Sequence, residues 1–277
     1  MVLRWTLLVL ATAGFGFRAA AATQAQCMDL LQTALDDKNP DTRKQAVVAL
    51  SLTAESGPLF TRLIGMLQDK DVEVREAVVA SLAEVRSQSA TAALHKALED
   101  EVPEVSFAAA KALWSRRDPA GKTALLSVLE GESKTSSSFF SKQKREALRM
   151  MHTPRTAFLF AVRQGVGFAP VPGLGEGVAS MQALLTDLGV SGRASAALLL
   201  AHERDAATVE ALKDALSDKE WSVRAAAVHA LSLRNDPAFR KDLEPLLQDD
   251  KNQVRLRAAA GYLRLSMIQA RTNRQKK

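Results

Sequence analysis

The sequence predicts an all-α fold: an α-solenoid of about six to seven stacked antiparallel helix pairs forming a superhelix. Three observations carry this expectation. One phrase recurs, as DKNPDTRKQAVVAL from Asp37, DKDVEVREAVVASL from Asp69, DEVPEVSFAAAKAL from Asp100, DKEWSVRAAAVHAL from Asp218 and DDKNQVRLRAAAGYL from Asp249, with a weaker copy, GVSGRASAALLL, from Gly189. Its slot holds Arg43, Arg75, Ser106, Arg193, Arg224 and Arg255, at separations of 32, 31, 31 and 31 residues wherever copies adjoin. A period of this size marks stacked units that cannot bury their apolar faces alone. Apolar residues make up 47% of the 277 and aromatics only 5%. Ala and Leu therefore carry the core, which suits closely stacked helices, and helix formers dominate inside the repeats.

The elements follow in chain order. Residues 1–22 open with MVLR, continue through an apolar run from Trp5 to Phe17 and end in small residues Ala19–Ala22. This pattern predicts a signal peptide, with Ala20 and Ala22 in the A-x-A positions and cleavage before Thr23. The apolar run is shorter than the ~20 residues a membrane span requires, so an anchor is expected only if the segment stays uncleaved. The single cysteine, Cys27, excludes an intrachain disulfide.

Residues 23–118 read as the N-terminal repeats. Each first helix is amphipathic, an aspartate then opens a short turn, and the second helix begins near the Val-Arg pair. Alanine recurs three residues after the slot, at Ala46, Ala109, Ala196, Ala227 and Ala258, letting neighbouring helices approach. Residues 119–188 form a divergent central repeat. It begins with a helix-like stretch from Gly121 and carries a Ser-rich insertion near Ser136–Ser141 and a loop crowded by Gly165, Gly167, Pro170, Pro172, Gly173, Gly175 and Gly177. No Lys-Ser/Thr pair follows these glycines, so they do not make a phosphate loop. Residues 189–268 read as the C-terminal repeats and 269–277 as a basic tail.

The pattern D-x-x-x-x-V-R-x-x-A-x-x-A-L resembles HEAT repeats, in the short form also found in phycobilisome lyase-like proteins. The resemblance implies that turn aspartates and arginines form a polar ladder between repeats. That role falls here on Asp69, Arg75, Asp218, Arg224, Asp249 and Arg255, with Ser106 interrupting it in the third copy. HEAT-like iron hydroxylases of the deoxyhypusine type use several His-Glu dyads; this chain has one, His202-Glu203.

The net charge of +6 suggests nucleic acid until it is divided. Arg4 and Arg18 at one end, with Arg271, Arg274, Lys276 and Lys277 at the other, account for all of it. The repeats themselves are balanced, so no broad DNA-binding face is expected. One cysteine cannot build a zinc thiolate site, and no nucleophile elbow is present. No catalytic, metal or cofactor residues are assigned, and no cofactor is expected.

The expectation is therefore a non-enzymatic, exported scaffold, periplasmic or secreted. It binds a protein partner through its second-helix face and central insertions, with the N-terminal segment or basic tail able to touch a membrane surface. Aromatic and Arg side chains dominate interface energetics, which selects Trp114, Arg116, Arg117, Phe139, Phe140, Phe168, Trp221 and Arg234. The alternatives are a bilin-lyase-like or other small-ligand-binding protein and a DNA-binding or repair solenoid.

Overall fold

The computed structural model describes residues 23–53, 57–129 and 192–275. Phe139, Phe140 and Phe168, the Ser-rich insertion, the Gly/Pro-rich loop and the predicted signal peptide lie outside the described residues. Every regular element within them is helical.

The chain begins with α1 (residues 23–35). There follow α2 (Pro40–Leu50), α3 (Pro58–Gly65), α4 (Val72–Glu84), α5 (Gln88–Ala97), α6 (Pro103–Ser115) and α7 (Pro119–Leu129). The second group is α8 (Gly192–Leu199), α9 (Ala206–Asp214), α10 (Trp221–Leu233), the short α11 (Arg240–Leu243) and α12 (Asn252–Gln275). Second helices start before the Val-Arg pair, because the turn supplies a cap there. Asp71 accepts from the amides of Glu73 and Val74 at the start of α4, and Asn39 accepts from Asp41 ahead of Pro40. The expected boundary at 268 is not a structural one, since α12 runs on to Gln275.

The recurring aspartate has a local cause. Asp37, Asp69, Asp100, Asp118, Asp218 and Asp249 each accept, at 2.7–2.9 Å, the backbone N–H two residues on. This turn ends one helix and aims the next. The arginine then joins turns. Arg43 donates from Nε and Nη2 to both carboxylate oxygens of Asp69, each at 2.8 Å, and from Nη1 to the carbonyl of Asp37. Arg75 repeats this with Asp100 and the Asp69 carbonyl, and Arg224 with Asp249 and the Asp218 carbonyl. Arg193 pairs with Asp218. Arg255 reaches its own turn carbonyl, at Asp249, and the Asn252 side chain. Where Ser106 stands in the slot, His95 Nε2 meets Asp118 at 3.0 Å instead.

Stacking does not follow chain order. α8 packs on α10, α10 on α12, α12 on α2, α2 on α4, α4 on α6, and α6 on α7. The C-terminal repeats thus lead into the N-terminal ones, and the first and last parts of the chain meet in the middle. Arg264 of α12 donates to the carbonyl of Leu52 at 3.1 Å, and Thr23 Oγ1 donates to Glu244 at 3.3 Å. One apolar core runs through both groups, from Leu31 and Val47 to Leu231 and Leu256. Ala46, Ala109, Ala227 and Ala258 are fully buried in it, whereas Ala196 in α8 is exposed. Among the described residues, large exposed apolar side chains gather on the two outermost parts of the stack, at Trp114, Leu126, Val128 and Leu129 and at Leu199 and Leu200.

Candidate functional site

Second helices end along one edge of the stack, and their terminal carbonyls need donors. Two arginines in equivalent slots supply them. Arg116 donates from Nη2 to the carbonyls of Leu82, Ala83 and Val85 at the end of α4, and from Nη1 to Thr91. Arg234 reaches the carbonyl of Ala201, beyond α8, at 3.4 Å. The following residues, Arg117 and Asn235, share a left-handed backbone with φ of 60° and 59°. That conformation closes the helix and turns the chain outward.

The same edge holds a cleft of about 610 Å³. Ser51, Thr53 and Glu84 line it from the N-terminal repeats. His202, Arg204, Arg234, Asn235, Asp236 and Arg264 line it from the C-terminal repeats, over a floor that includes Val209, Leu233 and Phe239. It therefore crosses the seam where α12 meets α2. Arg264 donates from Nε to Asn235 Oδ1 at 2.8 Å and from Nη1 to the carbonyl of Leu52. Asp236 accepts from the amide of Ala238. The lining carries three guanidiniums, one imidazole and two carboxylates.

The residues selected from sequence separate in space. Trp114 and Arg117 come together on a shallow groove with Asp118, Pro119 and Lys122. Trp114 is half exposed. Arg234 belongs to the seam cleft. Trp221 opens α10 and packs against the core. Arg116 serves the carbonyls just described. His202, Arg204 and Arg264 were not selected, although Arg204, Arg234 and Arg264 recur at 30-residue intervals.

Polar groups are also buried away from the cleft. Arg257 is fully buried in α12, donates to the carbonyl of Gln253, and has its pKa lowered to about 10 by burial. Burial, with Glu244 nearby, pushes the Cys27 thiol up to about 12. Among the described residues no group of three or more His, Cys, Asp or Glu is placed to hold a metal ion, and no helix is long and apolar enough to cross a membrane.

The sequence profile of HEAT repeats matches residues 60–136 and 179–264, more than half of the chain. The chain belongs to the HEAT repeat family. Among solved structures it is similar to human deoxyhypusine hydroxylase in complex with glycerol, at 19% identity over 91% of this chain and 99% of that one, with a TM-score of 0.31. It is also similar to a designed armadillo repeat protein, at 16% identity over 86% and 98% with a TM-score of 0.23. The comparison with curated proteins found no match.

Proposed function

We propose that this HEAT-repeat chain is a non-enzymatic, exported scaffold that binds a protein partner along the edge where its second helices end. The observation that carries the reading is the seam cleft. It is open, draws residues from both groups of repeats, and mixes guanidinium, amide and hydroxyl groups with an apolar floor. Such a lining suits recognition of a polypeptide, because Arg and apolar contacts supply energy while amides and hydroxyls supply register. Solenoids present extended surfaces of this kind to their partners. The N-terminal sequence pattern supports export.

Site-specific photo-crosslinking tests the binding half. A photoreactive residue replaces Asn235 at the cleft or Thr61 on the exposed side of α3, in chain expressed in its native cells. Adducts to a defined protein from position 235 and none from position 61 are expected. Equal labelling from both positions, or none from 235, refutes the reading. For export, the mature N-terminus is read by mass spectrometry, with Thr23 expected and intact Met1 in a non-envelope fraction as the contrary result.

A further inference from the structure

A groove of about 420 Å³ adjoins the seam cleft and shares one lining residue with it, Thr53. α1 contributes Met28, the first turn of α3 contributes Pro58 and Leu59, and α12 contributes Leu263, Met267 and Ala270. The volume lies within the roughly 300–1,000 Å³ range of small-molecule sites. No charged and no aromatic residue lines the groove. An aromatic ring finds nothing to stack on there. An aliphatic chain meets Leu, Pro and two thioethers, and methionine adapts its shape to such a chain.

The wall supplied by α12 changes character along its length. Leu263, Met267, Ala270, Arg271 and Arg274 recur at i, i+4, i+7, i+8 and i+11 of one continuous helix, so they share a face. Long side chains on a helix lean toward its N-terminus, which carries the two arginines back over Met267 and Ala270. Both arginines are exposed and make no ion pair among the described residues. Their two full charges outweigh the roughly half negative charge of the helix end. Ser266, on the same wall, is only 5% exposed, and its hydroxyl has no hydrogen-bond partner. A buried donor without an acceptor favours a ligand that carries oxygen over a plain hydrocarbon. We infer that the groove binds a single-chain fatty-acid carboxylate, its aliphatic chain lying between α1, α3 and α12 and its head group meeting Arg271 and Arg274. α3 offers only its first turn, too short a frame for a partner helix about 10 Å across.

Isothermal titration calorimetry on the full chain tests this with dodecanoate, octanoate and dodecyltrimethylammonium, each below its micelle concentration. Dodecanoate is expected to bind at least tenfold tighter than octanoate, since each buried methylene is worth roughly fourfold. It should also bind about fivefold tighter than the cation with the same tail, the scale of an exposed ion pair. Ala270→Trp fills the groove from an exposed position and should weaken dodecanoate at least tenfold. The double variant Arg271→Gln/Arg274→Gln should weaken dodecanoate roughly fivefold at low ionic strength and leave the cation no weaker. All three positions are exposed, so these variants should keep the far-UV spectrum and melting midpoint of the parent. No dodecanoate binding, equal affinity for the two head groups, or unchanged binding in Ala270→Trp overturns the inference. A photoreactive residue in place of the exposed Ala25 checks the occupant in native cells. A protein adduct there, whether with a second copy of this chain or another protein, that dodecanoate fails to compete away also overturns it. The partner reading stands or falls separately, with the crosslinks from position 235.

Discussion

Replacing Asp69 with alanine removes one side of a ladder rung and leaves Arg43 charged beneath the surface. The two side chains are only 6% and 8% exposed, and both parallel bonds measure 2.8 Å. Asp69 also accepts the amide of Asp71, so the turn that starts α4 loses its anchor. Breaking a buried pair from one side costs about 3 kcal/mol at the lower end of measured cases. At roughly 2–4 °C per kcal/mol for a chain of this size, the melting midpoint should fall by about 6–12 °C. The effect should be local, since each repeat touches only its neighbours. Amide exchange in α4 should therefore quicken before that in α10. Two controls fix the cause. Arg193→Ala removes a rung whose arginine is 58% exposed and should leave the midpoint unchanged within the scatter of replicate melts. The double variant Arg43→Leu/Asp69→Leu removes both charges and should recover part of the loss. An unchanged midpoint for Asp69→Ala, or a double variant worse than the single, refutes the argument that the buried charge needs its partner.

Acid should act on the same ladder. Burial raises the Asp69 and Asp249 carboxyls, but the guanidiniums of Arg43 and Arg224 and the turn amides outweigh it, and both end below the usual carboxylate range. A depressed folded pKa gives stability that is full above the unfolded value of about 3.9 and lost as pH falls through the folded one. Urea midpoints should thus be flat from pH 7 to about 5 and drop below about 4, less steeply in a chain lacking the Asp69 carboxyl. Gly121→Ala should destabilise α7, because a Cβ there would collide with the Trp114 backbone nitrogen and lie 2.7 Å from the Ala110 carbonyl oxygen. Gly65→Ala meets nothing within 4 Å and should raise the midpoint, by up to ~1 kcal/mol of helix propensity. Proteolytic cleavage within residues 130–191 should leave the two groups of repeats associated on a sizing column, with Cys27 unreactive to a thiol reagent at pH 8. Separation of the pieces, or rapid labelling of Cys27, would show that the seam does not hold alone.

The ladder residues were legible because they recur in fixed slots of the repeat, with arginine and aspartate 25–26 residues apart. Asp69 and Arg75 fall where the repeat pattern puts them, and Ser106 marks the interruption that His95 and Asp118 bridge. Arg116 and Arg234 were visible as arginines, but not as caps. Their targets are carbonyls of the preceding second helix, about 31–34 residues away. A signal did exist, since both lie ten residues beyond the ladder slot, at Ser106 and Arg224. The stacking order was not legible. Every second helix presents a similar Ala- and Leu-rich face, so the contact of α12 with α2 is not written in any one repeat. Because the cleft forms at that contact, its membership was hidden too.

The reversed order places the cleft at the junction between the two groups of repeats. The helices that begin and end the described chain sit at the centre of the stack, where Thr23 meets Glu244 and Arg264 meets Leu52. The outermost of the described elements, α7 and α8, flank residues 130–191 in sequence. Ser51, Thr53 and Glu84 lie on one side of the seam, and the three arginines on the other. Under the proposed reading, a partner segment lying across it would touch both groups of repeats and favour the joined arrangement over the parted one. By linkage, occupancy at one hundred times Kd would add about 2.7 kcal/mol to that junction. Binding and closure of the seam would then be one equilibrium, and a variant that loosens α12 from α2 should weaken partner binding even with every arginine in place.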